Sequence, residues 1–227
     1  MLSPEEISAL YLSAKVGLFA TLVNLPFAIA VAWILARYEF RFKVFLESLL
    51  QLPMILPPVV LGYFLLILFG NRGVIGQFLT EWGIQFAFNW KGAVIASMVV
   101  AFPLMVQPIR LSFQLINRQL EQVAQTLGAS PIQAFWSISL PLAVPGILIG
   151  SILCFSRSLG EFGATITFVG NIPDETRTVP IAIYSLLQQP DGESMAMRLV
   201  MLSVLLAFAA LVANHIILQR YQQRLTS

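Results

Sequence analysis

Charge is what this sequence has least of. Of its 227 residues, 13 are Lys or Arg and 11 are Asp or Glu, so that 11% are charged, against about 25% in soluble domains. A chain this poor in charge cannot present a solvated surface all round, which excludes an ordinary soluble domain. Cysteine occurs once, as Cys154 in an apolar run, which excludes an intrachain disulfide and a cysteine-held metal cluster. Histidine also occurs once, at His215, and leaves no imidazole pair for metal or triad chemistry. G-x-x-x-x-G-K-[ST] is missing, so this chain carries no phosphate loop of its own. H-E-x-x-H and G-x-S-x-G are missing too, and with them the usual signatures of hydrolases. A net charge of +2 is too small to point to nucleic acid.

What is present is apolar. Hydrophobic residues make up 58% of the chain, and the mean hydropathy is +0.82. Lipid therefore replaces water as the main solvent, and the expected fold class is all-α: a polytopic transmembrane bundle of five or six spans in a single domain over residues 1–227. The five stretches run about Val16 to Ala36, Phe45 to Phe69, Gly92 to Arg110, Leu140 to Phe155 and Leu199 to Leu218. The first would reach about 32 Å as a helix, enough to cross the hydrocarbon. "MLSPEEISALYLSAK" has two acidic residues before its first Lys, unlike the basic start of a signal peptide. The first span is expected to stay as structure. After "LQRYQQRLTS" no regulatory or nucleotide-binding domain is expected.

Pro53, Pro57 and Pro58 interrupt the second stretch and predict a kinked helix. Breaks of this kind are tolerated at membrane depth where backbone faces protein or a watery cavity. Pro57 and Pro58 are therefore candidate pathway residues, and a kink needed only for packing is the competing reading. With the N-terminus outside, Arg37, Arg41, Lys43, Arg110, Arg118, Arg220 and Arg224 fall inside, seven against six outside. The inner seven sit in shorter loops near span ends, so an outside N-terminus and cytoplasmic C-terminus are expected.

Between the third and fourth stretches the sequence turns polar: "EQVAQTLGASPIQAFWSISLPLAVPGI". Residues 117–127 read as a short helix, and Gly128 is placed to end it in a left-handed cap. Ser130 suits the N-cap of a second short helix and Pro131 its first position. Phe135 and Trp136 follow on that helix, and Pro141 and Pro145 are expected to mark a turn into the fourth span. An interfacial hairpin and a docking surface both fit these residues.

The order Gly128, nine residues, then Ile138-x-Leu140-Pro141 resembles the cytoplasmic signature loop of ABC importer permeases, E-A-A-x3-G-x9-I-x-L-P. The first two E-A-A positions depart from the pattern here, reading Gln122-Val123-Ala124, with Glu121 one residue earlier. "LPMILPPVVLGYFLL", "RGVIGQ", "FAFNWKGAVIA", "FPLMVQPIRL" and "RSLGEFGATITFVGNIPDETRTVP" extend the likeness over nearly the whole chain. They resemble the permease subunits of molybdate importers, and "RSLGEFGATITF" is shared more loosely with sulfate and tungstate permeases. The resemblance implies a type I importer fold and a second copy of the chain. It also implies separate ATP-binding subunits carrying ATP-Mg and an extracytoplasmic molybdate-binding protein that sets selectivity. The bacterial-type cytoplasmic membrane is the implied location. It further implies that residues 117–139 form the coupling loop, with Glu121, Gln122, Ala124, Gly128, Phe135, Trp136, Ile138, Leu140 and Pro141 its candidate contacts. No cofactor or metal is expected on this chain, which is read as no enzyme. The same machine for tungstate or sulfate is the near alternative; a secondary transporter or channel is the one from another class.

Arg157 and Glu161 stand four residues apart and can pair. One reading makes Arg157 a guide for a tetrahedral dianion, with Ser156, Ser158, Thr165 and Thr167 supplying hydroxyls; the other makes the pair structural. Residues 178–189 are too short to span and are read as a gate element or a contact for the binding protein. Gly146 and Gly150 have the spacing that lets helices approach closely. Asn214 and His215 are expected at the inner interface.

Overall fold

The computed structural model describes residues 3–226, with side chains at all of them except 214, 215, 217, 218 and 220–226. The calls on Asn214 and His215 lie outside the described side chains. Helix α1 spans Pro4–Arg37, starting well before the apolar stretch. Ser3 and Glu6 form a capping box, with Ser3 N–H donating to Glu6 Oε2 at 2.7 Å and Glu6 N–H to Ser3 Oγ at 3.2 Å. Pro4 occupies the first helical position, where its missing N–H costs nothing.

The second apolar stretch breaks at its prolines, more sharply than a kink. It forms α2, Lys43–Ile55, and α3, Pro58–Phe69, set at 111° to each other. Leu56 and Pro57 are extended between them, because each precedes a proline whose ring excludes the helical conformation. At about 20 and 18 Å neither half crosses the hydrocarbon alone. A short α4, Val74–Glu81, leads to α5, Trp90–Leu115, which holds Pro103 and Pro108 within it.

Helices α6, Arg118–Thr126, and α7, Pro131–Ala134, come next. The expected turn at Pro141 and Pro145 does not form: α7 runs through one π turn, Phe135–Ser139, into α8, Leu140–Leu159, as a continuous span. In the π turn Leu140 N–H reaches back to Phe135 O, and this wider winding accommodates Pro141, which has no N–H to give. Beyond lie α9, Gly163–Val169, α10, Val179–Leu186, and α11, Glu193–Thr226.

Helices α1, α5 and α8 form the centre. Ala20, Ala28 and Ala32 of α1 and Ala93, Ala96 and Ala101 of α5 are fully buried, small residues that let helix backbones approach in lipid. A Cβ on Gly150 would lie 2.6 Å from Met105 O, and one on Gly146 would lie 2.5 Å from Pro108 O, so both glycines are required by the α5–α8 crossing. Helix α9 packs on α3, where Gly62 faces Ala164 and Thr167.

One end of the bundle gathers the start of α1, the 171–193 segment and the start of α11. Arg198 Nη2 pairs with Glu6 Oε1 at 3.2 Å, and Arg177 Nη1 with Glu5 Oε2 at 3.4 Å. Helix α10 is seated there, with Val179 N–H donating to Ser13 Oγ of α1 at 2.7 Å. The other end carries α6 and α7.

Candidate functional site: a pinned helical pair at one end

Asn117 opens α6 by accepting the Gln119 N–H at 2.9 Å. The helix closes through Gly128, whose φ is +95°, in the left-handed region that disfavours any side chain. Ala129 N–H then returns to Ala124 O at 3.0 Å. Ser130 and Gln133 make a second capping box, with Gln133 N–H donating to Ser130 Oγ at 3.2 Å and Ser130 N–H to Gln133 Oε1 at 2.8 Å. The two helices and the tight turn between them therefore follow from local chemistry, as the sequence predicts.

The pair has an outward and an inward side. Leu120, Val123, Leu127, Ile132 and Trp136 are all exposed, Leu127 by 85% and Trp136 by 64%. Gln122 and Gly128 are exposed with them and Ala124 is half-buried. Large apolar side chains thus stand exposed beside the polar residues of α6, the kind of patch that marks a contact with protein or membrane. Phe135 turns the other way, its ring 5.2 Å from that of Trp33 and 6.1 Å from that of Phe113. Ile138 and Leu140 are half-buried, Leu140 packing into the core around Phe113 and Ala143, while Pro141 is exposed.

Glu121 also faces inward. Its Oε1 lies 2.6 Å from Arg37 Nη2 at the end of α1, with side-chain exposures of 18% and 7%. Ser139, fully buried at the base of α8, donates its hydroxyl to the same carboxylate oxygen. Arg37 Nη1 donates to Ile116 O at 3.3 Å. Arg118 Nη2 caps α1 from below, donating to Ala36 O at 3.3 Å and Arg37 O at 3.2 Å. Charge-assisted bonds of this kind are the strong ones, and they join α6 to two spans at once. Sequence reasoning missed Ser139 and read Arg37 and Arg118 only as topology charges. The chain turns at Gly128 between Glu121 and Ser139, so no single helix carries both and no periodicity betrays their contact.

The pathway candidates lie elsewhere and converge in part. Pro57 and Pro58 form the break between α2 and α3, and a Cβ on Gly163 would stand 2.9 Å from Pro58 Cβ. Glu161, only 1% exposed, accepts the Ala164 N–H at 2.8 Å through Oε1. Its Oε2 lies 2.8 Å from Arg157 Nη2 but outside hydrogen-bond geometry. Thr165 donates to Phe162 O at 2.9 Å and Thr167 to Gly163 O at 2.8 Å, so both hydroxyls are engaged by their own helix. Ser156 Oγ is buried without a partner. Among the described residues no group of three His, Cys, Asp or Glu could hold a metal ion.

The family described as "Binding-protein-dependent transport system inner membrane component" matches residues 25–226. The molybdenum transport system permease protein ModB of Escherichia coli (strain K12) is 53% identical over 94% of each chain. Its namesake in Haemophilus influenzae is 50% identical over 97% of this chain and 96% of its own. A probable sulfate transport system permease protein of Chlorokybus atmophyticus is 36% identical over 83% of this chain and 66% of its own. The solved structure of a bacterial ABC transporter that imports alginate superposes with a TM-score of 0.78 at 17% identity, over 96% of this chain and 80% of that one. The inward-facing MetNI methionine ABC transporter superposes with a TM-score of 0.71 at 15% identity, over 95% and 94%. The fold is that of the type I importer permeases, and the chain belongs to the family of binding-protein-dependent transport system inner membrane components.

Proposed function

We propose that this chain is the membrane-spanning permease subunit of an ATP-driven molybdate importer, one domain throughout. Two copies would form the pathway across a two-fold axis, with an ATP-binding subunit under each α6–α7 pair and a molybdate-binding protein above. The observation that carries the reading is the 53% identity, over 94% of both chains, to a molybdenum transport permease. The exposed Leu127, Ile132 and Trp136 and the tight turn that Gly128 permits support α6–α7 as the coupling element. Its N-terminus faces outside and its C-terminus the cytoplasm, which places that element where ATP is.

The chain positions and transmits; ATP-Mg chemistry belongs to the partner. Closure of the two ATPase subunits would draw the coupling elements together. The pins from Glu121 to Arg37 and Ser139 would carry that motion into α1 and α8. Helix α10, seated on α1 at the outer end, would meet the binding protein. The paired, helix-capping Glu161 is no free intramembrane carboxylate of the kind ion-coupled secondary transport uses.

The test is purification of the tagged chain from its native membrane, followed by uptake in liposomes with the co-purified ATPase and the binding protein. An ATPase at one copy per permease and ATP-dependent molybdate uptake are expected. Uptake of sulfate or tungstate in preference would change the substrate only. A permease that purifies without an ATPase and transports molybdate without ATP would overturn the reading.

A further inference from the structure

Helix α2 buries none of its residues, although it carries Glu47, Ser48 and Gln51 within a membrane-length stretch. Ser48 satisfies itself by donating to Val44 O at 2.8 Å. Glu47 and Gln51 stand one turn apart on one face, and Gln107 and Arg110 do the same on α5. The two faces meet in a groove lined by all four, with Leu50 and Val106. Arg110 Nη2 lies 2.7 Å from Glu47 Oε1, the side chains being 25% and 24% exposed.

The donors in this groove are underused. Arg110 Nε is buried with no acceptor. The Gln107 amide reaches only Met54 Sδ, at 3.9 Å, a weak acceptor. Gln51 and Gln107 are both exposed, Gln51 about 12 Å from the Lys43 end of α2 and Gln107 about 12 Å from the Leu115 end of α5. Carboxamides at that depth do not face hydrocarbon without cost, so this face belongs to protein or a watery path. Glu39, the other carboxylate that feels the charge of Arg110, is paired with Lys43, so a neutral ion pair flanked by spare N–H donors suits an anion and not a cation.

We infer that the α2–α5 groove is a transit site for the tetrahedral oxyanion near the cytoplasmic release side, a reading that rests on the importer function above. The oxyanion exchanges with Glu47 for the Arg110 guanidinium and accepts from Gln51 and Gln107. Glu47 acts as a built-in competitor. It returns to Arg110 as the oxyanion leaves and so keeps the hold weak, as conduction demands.

Equilibrium binding of isotope-labelled molybdate to the intact permease–ATPase complex, with the binding protein omitted, tests this alongside liposome uptake. Glu47→Gln is expected to tighten molybdate binding about tenfold, the scale of a hydrogen bond to a charged group, and to slow turnover. Arg110→Gln is expected to abolish the binding that Glu47→Gln reveals, and Gln107→Leu, which leaves the ion pair intact, to weaken it. A structural ion pair would give no gain with Glu47→Gln; absence of that gain, or indifference to Gln107→Leu, overturns the inference while leaving the importer reading standing. A wild-type complex that takes up neither molybdate, tungstate nor sulfate removes both.

Discussion

Arg37 Nη2 and Glu121 Oε1 meet at 2.6 Å although 84 residues separate them in the chain. This contact ties helix α6 to the first span, and Ser139 extends the tie to the span of α8. A surface ion pair would matter little, but Arg37 is 7% exposed, so removing its partner leaves a buried charge. Glu121→Ala should destabilise the protein by about 3 kcal/mol or more, read as a lower melting temperature in detergent. Arg37→Met added to Glu121→Ala should recover much of that loss. Simple additivity of the two changes would deny that they act through one another.

Gly128 offers a cleaner probe of the coupling proposed for α6–α7. Nothing lies within 4 Å of a Cβ built there, yet φ is +95°. A side chain therefore meets backbone strain and no collision. Gly128→Val should cost roughly 1 kcal/mol or more locally, leaving the protein in the membrane while it loses its ATPase partner on purification. Gly128→Asn, which tolerates the left-handed region, should keep part of the capture. Full co-purification with the Val variant would count against α6–α7 as the docking element.

These local features were legible in the sequence for a reason. Ser130-Pro131 with Gln133, and Gly128 after a polar helix, are chemistry written within a few residues. Ser3-Pro4 with Glu6 is written in the same code but went unread, because the span was sought where hydropathy begins; it extends α1 upstream of that point. Hydropathy sees composition and not direction, so the prolines foretell a bend but not its size; the 111° turn between α2 and α3 depends on how Leu56 and Pro57 are both forced extended. Pro141 read as a breaker because proline usually is one, and a π turn upstream removed the need. Glu121 had the opposite problem: its residue type and place suggested an exposed contact, and only the positions of Arg37 and Ser139 turn it inward.

The glycines at the α5–α8 crossing set the distance between two central spans. A methyl on Gly150 would press on Met105 O, and Ile109 Cγ1 stands 3.2 Å from the same point. Backbone cannot move aside as a flexible side chain can. Gly150→Ala should cost about 1–3 kcal/mol, and Gly150→Leu should prevent stable folding, measured as folded protein recovered from the membrane. Ile149→Leu, on the more exposed neighbouring position, is the matched control. Equal recovery of Gly150→Leu and the control would contradict the tight crossing.

The Arg157–Glu161 pair separates two roles that the sequence left open. Glu161 holds the start of α9 by accepting Ala164 N–H at 2.8 Å and is 1% exposed, while Arg157 keeps 31% of its side chain accessible. The carboxylate is thus the structural member, and the guanidinium is the one an oxyanion could reach. Glu161→Ala removes both the cap and the counter-charge, and should lower the yield of folded protein sharply. Glu161→Gln can still accept from Ala164 and should fold better than the Ala variant. Arg157→Gln leaves the cap in place but strands a buried carboxylate, which should cost about 3 kcal/mol if the pair is structural alone. Melting temperature and molybdate uptake per folded complex, measured together, decide between the roles. Loss of uptake at normal stability would place Arg157 in the path, and loss of stability at normal uptake per complex would confine it to holding α8 against α9.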